Sequence, residues 1–279
     1  AQNNIGTVYQ HNGNYTNAID YFNRTVTLAE AFNNTYLLAL GYSNIATVYT
    51  DQGDYTKALS YLKKSLQLRE KDEDIENVAN TLQNMGDVFL KLKDTANAVL
   101  YGNKALSTFE QTENQEGLAM AYGHLASILP TDSFNKKMSL LLKAQATWDS
   151  SFIRHPNSLA NMGKISELFL SLAKTKPFSI IKDGDKSITG KNNFLQQASY
   201  YIEKAIALSK DANGINNYAS LHSTLSAIEE EQGDYKNSLL HFKTFYTLTD
   251  SIYSQENKNQ IAAIESKKAI DLKDKEIEL

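Results

Sequence analysis

The sequence predicts an all-α protein, a superhelical solenoid of about six helix-turn-helix units closed by a C-terminal capping helix, and three observations predict it. Residues 4–19, NIGTVYQHNGNYTNAI, return as NIATVYTDQGDYTKAL at 44–59 and as NMGDVFLKLKDTANAV at 84–99, an interval of 40 residues. Within each copy the apolar positions recur three and four residues apart, the helical period. The chain has only 3 Pro in 279 residues and is rich in Ala, Leu, Asn and Tyr, which suits helices.

The first helix of each copy carries an apolar-small pair: Ile5-Gly6, Ile45-Ala46, Met85-Gly86, Leu125-Ala126, Ile165-Ser166 and Leu225-Ser226. The first five small residues are 40 apart and the last interval is 60. A large apolar residue follows three positions later (Tyr9, Tyr49, Phe89, Leu129, Phe169), with Glu229 as the exception. Small residues let two helices approach while the large ones fill the space beside them. The helix then breaks at NGNY, QGDY and again QGDY, where Gly13, Gly53 and Gly233 can take the left-handed backbone that ends a helix cheaply. The second helix resumes with Ala18 and Phe22, Ala58 and Leu62, Ala98 and Gly102, Ala198 and Ile202, Ser238 and Phe242. In the fourth copy Pro130 interrupts the first helix and Met138 replaces the alanine. One helix pair cannot bury both of its faces, so neighbouring pairs must stack.

Residues 1–253 are expected to form the solenoid. The extra 20 residues fall inside the fifth copy, about 176–195, as KTKPFSIIKDGDKSITGKNN, where two β-branched runs flanking KDGD predict a projecting loop or small hairpin. Asp183-Gly184-Asp185 lacks the further oxygens and closing Glu of a calcium loop and reads as a polar turn. Residues 254–279 contain no Gly or Pro and predict a helix that docks as the start of a seventh unit, then protrudes or pairs as alternating Lys and acidic residues.

The order Ile45-Ala46, Tyr49, Gly53-Asp54-Tyr55, Ala58 resembles the tetratricopeptide repeat, and the 40-residue spacing looks like the extended subclass of kinesin light chains and bacterial peptide-sensing regulators. That resemblance implies a right-handed superhelix that binds peptides or protein segments. The run DSIYSQENKNQIAAIESKKAIDLKDKEIEL resembles the linker that joins extracytoplasmic repeat domains of bacterial membrane-bound sensors to a transmembrane helix and an output domain. Lys268 departs from that pattern, which usually has Tyr. This second resemblance implies a sensory region of a two-component type protein, on the periplasmic side of a membrane, with membrane contact only beyond Leu279.

Catalysis is not expected within these residues. The chain has no Cys, hence no thiolate nucleophile or Cys-ligated zinc, and no phosphate loop or Gly-x-Ser-x-Gly elbow. His11, His124, His155, His222 and His241 show no metal-ligand spacing and read as surface or packing residues. No cofactor and no metal is implied. A net charge of −4 without a basic run argues against nucleic acid and against an anionic membrane surface. No stretch approaches a membrane span, and AQNNIGTVYQ has neither an initiator Met nor a signal-peptide core. Opening inside a repeat, the chain is expected to be a piece of something longer.

Binding is the expected activity. Taking the helical phase from the small residues, inward positions on the first helices include Asn3, Thr7, Ser43, Thr47, Gln83, Asp87, Ser127, Glu167, Ser223 and Glu230, a polar face without Lys or Arg. Asn4, Asn44 and Asn84 precede the apolar-small pairs; by the family resemblance they form a ladder for the main chain of a bound peptide, and the alternative is that they satisfy backbone groups between adjacent helices. Tyr9, Tyr49 and Phe89 read as core. The rival functions are an architectural scaffold and a cytoplasmic peptide-responsive regulator. A homodimer through the C-terminal helix is conceivable.

Overall fold

Helices of 17 residues and links of three residues build the period. The computed structural model describes residues 2–130, 132–150, 156–175, 181–183, 186–209 and 215–250. The chain divides into two units, 1–153 and 154–279. In the first, α1 (Gln2–His11), α2 (Tyr15–Ala31), α3 (Thr35–Asp51), α4 (Tyr55–Lys71), α5 (Ile75–Lys91), α6 (Thr95–Phe109), α7 (Gln115–Ile128) and α8 (Phe134–Ser150) form four successive pairs. Each helix packs on the next, and the first helices of neighbouring pairs also meet, α1 with α3 and α5 with α7.

Local chemistry fixes these boundaries. Gly13 and Gly53 have φ of 70° and 79°, the left-handed region where a side chain would be strained. Lys93 takes that place in the third pair with φ 62°. The next residue, Asn14, Asp54 or Asp94, accepts a hydrogen bond from the backbone N–H three positions on and so starts the second helix. Asn34, Asp74 and Asn114 do the same for the first helices of pairs two to four. In the fourth pair Leu129, with φ −58° and ψ 147°, ends α7 in the extended conformation that a following Pro130 imposes.

Packing then follows the small-large alternation. A Cβ on Gly6 would stand 2.6 Å from the Phe22 ring, so glycine is what admits that ring between α1 and α2. Ala18 and Phe22 of α2 are buried against Ile45 and Val48 of α3, and Ala58 and Leu62 of α4 against Met85 and Val88 of α5. In the first unit α2, α4 and α6 are thus each covered by the first helix of the following pair, which is how the stack buries a face that one pair cannot.

The second unit holds α9 (Pro156–Lys174), β1 (Ile181–Asp183), β2 (Lys186–Ile188), α10 (Lys191–Ser209), α11 (Ile215–Gln232) and α12 (235–250). Here α9 packs on α10, α10 on α11, and α11 on α9. The small residues are serines that also bond: Ser166 Oγ donates to the Ala198 carbonyl at 2.8 Å, and Ser226 Oγ to the Ser238 carbonyl at 2.9 Å. In the inserted segment β1 and β2 pair antiparallel, Ile181 opposite Ile188 and Asp183 opposite Lys186. Gly184 and Asp185 lie outside the described residues. Ile181 is 0% exposed, which anchors the ribbon rather than letting it simply project. Because α10 starts at Lys191, the 176–195 segment ends about one helical turn earlier than the sequence suggested. Phe242 also departs from expectation: it is 50% exposed, where its counterparts Phe22, Leu62 and Ile202 are buried. Residues 254–279 lie outside the described residues. Among the described residues no helix is long and apolar enough to cross a membrane.

Candidate functional site

Two rows of side chains run along the first helices of the pairs. Two positions before each small residue stand Asn4, Asn44, Asn84, His124, Lys164 and Thr224; one position after it stand Thr7, Thr47, Asp87, Ser127, Glu167 and Ala227. Helical geometry places both rows on nearly the same face, opposite the apolar stripe.

Within the first unit this face is partly cross-linked. Asn44 donates its amide N–H to the Asn3 side-chain oxygen, tying α3 to α1. Gln10 Nε2 donates to Asp51 Oδ2 at 2.8 Å between the same helices. His124 on α7 pairs with Asp87 on α5. Thr47 is exposed, its hydroxyl returned to the Ser43 carbonyl at 3.1 Å, and Ser127 donates likewise to the Gly123 carbonyl at 3.0 Å. Asn4 and Asn84 are exposed, and among the described residues their side chains make no hydrogen bond. Gln83 is half-buried, and its Oε1 is sealed from solvent with no partner, although buried polar atoms are nearly always bonded.

Asn44 is thus engaged with a side chain of the neighbouring helix, while Asn4 and Asn84 keep their amides unspent. Ser43 leaves the predicted face: it is buried, its hydroxyl 2.9 Å from that of Ser65, which in turn donates to the Ala39 carbonyl at 2.9 Å. Three positions before the small residue, a short side chain falls into the seam with α4 instead of reaching outward. Tyr9, Tyr49 and Phe89 stack on Tyr21, Tyr61 and Tyr101 of the second helices, a packing role.

In the second unit α9 and α11 enclose a cavity of about 210 Å³ lined by Gly163, Lys164, Glu167, Leu221 and Thr224, among others. Thr224 Oγ1 donates to Glu167 Oε1 at 3.3 Å across it. Lys164 occupies the same position as Asn44 and Asn84, one step from the inward line drawn from sequence, which itself carries no Lys or Arg. Gly163 contributes space here, since a Cβ would meet Leu221 at 3.2 Å. Sequence reasoning missed this cavity; the polar residues two positions before the small residue, Lys164 and Thr224, were the available signal. Ser223 is half-buried and Glu230 exposed. His155 lies outside the described residues, and among the described residues no group of three His, Asp or Glu side chains is arranged to hold a metal ion.

Residues 1–71 and 37–111 match the tetratricopeptide repeat family model. Comparison with curated proteins finds no match. Among solved structures, BtubC (BKLC) from P. vanneervenii is similar at TM-score 0.70 and 14% identity, covering 84% of this chain and 91% of that one. A signal transduction ATPase with numerous domains (STAND) carrying a tetratricopeptide repeat sensor, from Pyrococcus horikoshii, is similar at TM-score 0.68 and 16% identity; it covers 93% of this chain, which spans 38% of that longer protein. A Rap protein complexed with competence and sporulation factor is similar at TM-score 0.53 and 10% identity, covering 91% of this chain and 75% of its own. At these identities the likeness shows the fold, an all-α tetratricopeptide solenoid. Such repeats are generally non-catalytic and serve protein–protein interaction.

Proposed function

We propose that this chain is a non-catalytic recognition region that holds an extended peptide or protein segment along its first helices, and that it is the sensory part of a bacterial signalling protein of the two-component type. The observation that carries the reading is the set of exposed polar side chains on the first helices, Asn4 and Asn84 with their amides unspent and Thr47 between them. A ligand's backbone N–H and C=O offer the complementary donor and acceptor whatever its side chains. The sensor in the STAND protein and the Rap complex support the regulatory reading by analogy of fold. The extracytoplasmic placement and a membrane segment beyond Leu279 belong to the same proposal and rest on the linker-like residues 250–279. Signal would then pass toward the C-terminus only if the ligand favours one of two arrangements there.

The test is selection of an unbiased peptide library on the chain and on an Asn4→Ala/Asn84→Ala variant. Peptides retained by the parent and weakened at least about tenfold in the variant, roughly 1.4 kcal/mol, with unchanged helical content, support the reading. Selection indifferent to both residues favours the architectural scaffold instead.

A further inference from the structure

One interlock recurs through the molecule. In the first three pairs a ring on the first helix stacks on a tyrosine twelve residues later: Tyr9 on Tyr21 at 5.4 Å, Tyr49 on Tyr61 at 5.7 Å, Phe89 on Tyr101 at 5.1 Å. Arg24, Lys64 and Lys104 each lie 5.1 Å over the tyrosine ring. Phe169 and Tyr201 repeat the stack between α9 and α10. In the second pair Tyr42 leans on Tyr61 as a third ring, 5.9 Å away and tilted 48°.

The α11/α12 pair keeps this geometry and changes its chemistry. Counting from Ser226 and Ser238, Tyr49 becomes Glu229, Tyr61 becomes His241, Tyr42 becomes His222 and Lys64 becomes Thr244. His222 and His241 sit 5.2 Å apart, tilted 41°, much as Tyr42 and Tyr61 do. His241 Nδ1 is 2.8 Å from Glu229 Oε2. His222 is 6% exposed, neither of its ring nitrogens has a partner among the described residues, and the Tyr218 ring meets it edge-on at 4.6 Å.

The groups around His222 leave a proton there without compensation. From α12 it faces His241, and on α11 Tyr218 and, through His241, Glu229. The charges of α9 and α10 are engaged along other positions of α11: Glu167 with Thr224, and Lys174 and Lys191 with Glu231.

We propose that the α11/α12 repeat is a proton-sensitive joint, in which protonating His222 breaks its packing at mildly acidic pH while the aromatic repeats hold. Burial, with His241 adding, holds the His222 pKa below the ordinary histidine value. The folded repeat therefore binds this proton more weakly than the unfolded chain. Its contribution to stability is present above about pH 6.5, the unfolded value, and is lost as pH falls through it toward the folded pKa.

Amide hydrogen exchange on the chain, corrected for intrinsic rates, tests this between about pH 7.5 and 5.5. Protection across α11 and α12 should fall by up to about tenfold per pH unit below the histidine range, with α3 and α4 unchanged. His222→Phe should abolish the fall. The proposal is overturned if the fall persists in that variant, if it is absent from the parent, or if α3 and α4 lose as much. Should His222→Phe fail to fold, the ring titration of His222 in the parent decides by NMR: a midpoint below that of ordinary histidine supports the joint, and one at or above it overturns it.

Discussion

The α3/α4 pair and the α11/α12 pair are the same object in two materials. In α3/α4 the seam is Tyr42, Tyr49 and Tyr61 with Lys64 over two of the rings, and Leu62 is 2% exposed beneath a following helix. In α11/α12 the seam is His222, Glu229 and His241, and the residue matching Leu62, Phe242, is half open. The contrast shows that one helix-pair geometry can be held by two different seams. The seam decides only how firmly, and under what conditions, the pair is held.

Three experiments press on that contrast. Leu62→Ala should cost about 2–5 kcal/mol, because it removes a buried side chain from a closed site; Phe242→Ala should cost about 1–2 kcal/mol, since half of its area is already in water. Urea unfolding of both variants reads the difference, and equal losses would erase the distinction between the pairs. Gly6→Ala should cost about 1–3 kcal/mol by forcing the Phe22 ring aside. Adding Phe22→Leu to it reproduces the Ala46–Leu62 combination of the second pair and should recover most of that loss; a double variant no better than the single one would mean that the pairs are not interchangeable solutions. The smallest effect is at the rings: Lys64→Ala should cost about 0.5–1 kcal/mol through the lost cation–π contact, whereas Thr244→Ala, with no aromatic stack beneath it, should be close to neutral in the same thermal melts.

The helix pairs were readable because the 40-residue return sets one strong period, and because Gly13, Gly53 and Gly233 mark the turns of the first, second and last pairs. The seam was readable only in part. Tyr, Tyr or Phe followed twelve residues later by Tyr is in the sequence, but which rings touch depends on how two helices lie against each other. The binding face was harder still. A phase taken from small residues cannot separate outward from seam-facing positions one residue apart, so Ser43 was placed with Thr47 and Lys164 was passed over. That Gln83 ends with an oxygen without a partner, and Asn44 with one in Asn3, is decided by distances between helices that no single-helix pattern contains.

The ribbon in the fifth pair has a consequence for how such a chain can change over time. Every three-residue link is intolerant of added length: one extra residue turns the next helix by about 100° and carries its apolar stripe out of the seam. An antiparallel ribbon returns the chain toward the point from which it departed, with Ile188 opposite Ile181. Growth at its tip therefore leaves the phase of α10 untouched. Between α9 and α10 the protein holds a place where new segments can be grafted, by evolution or by design, without re-indexing any helix that follows.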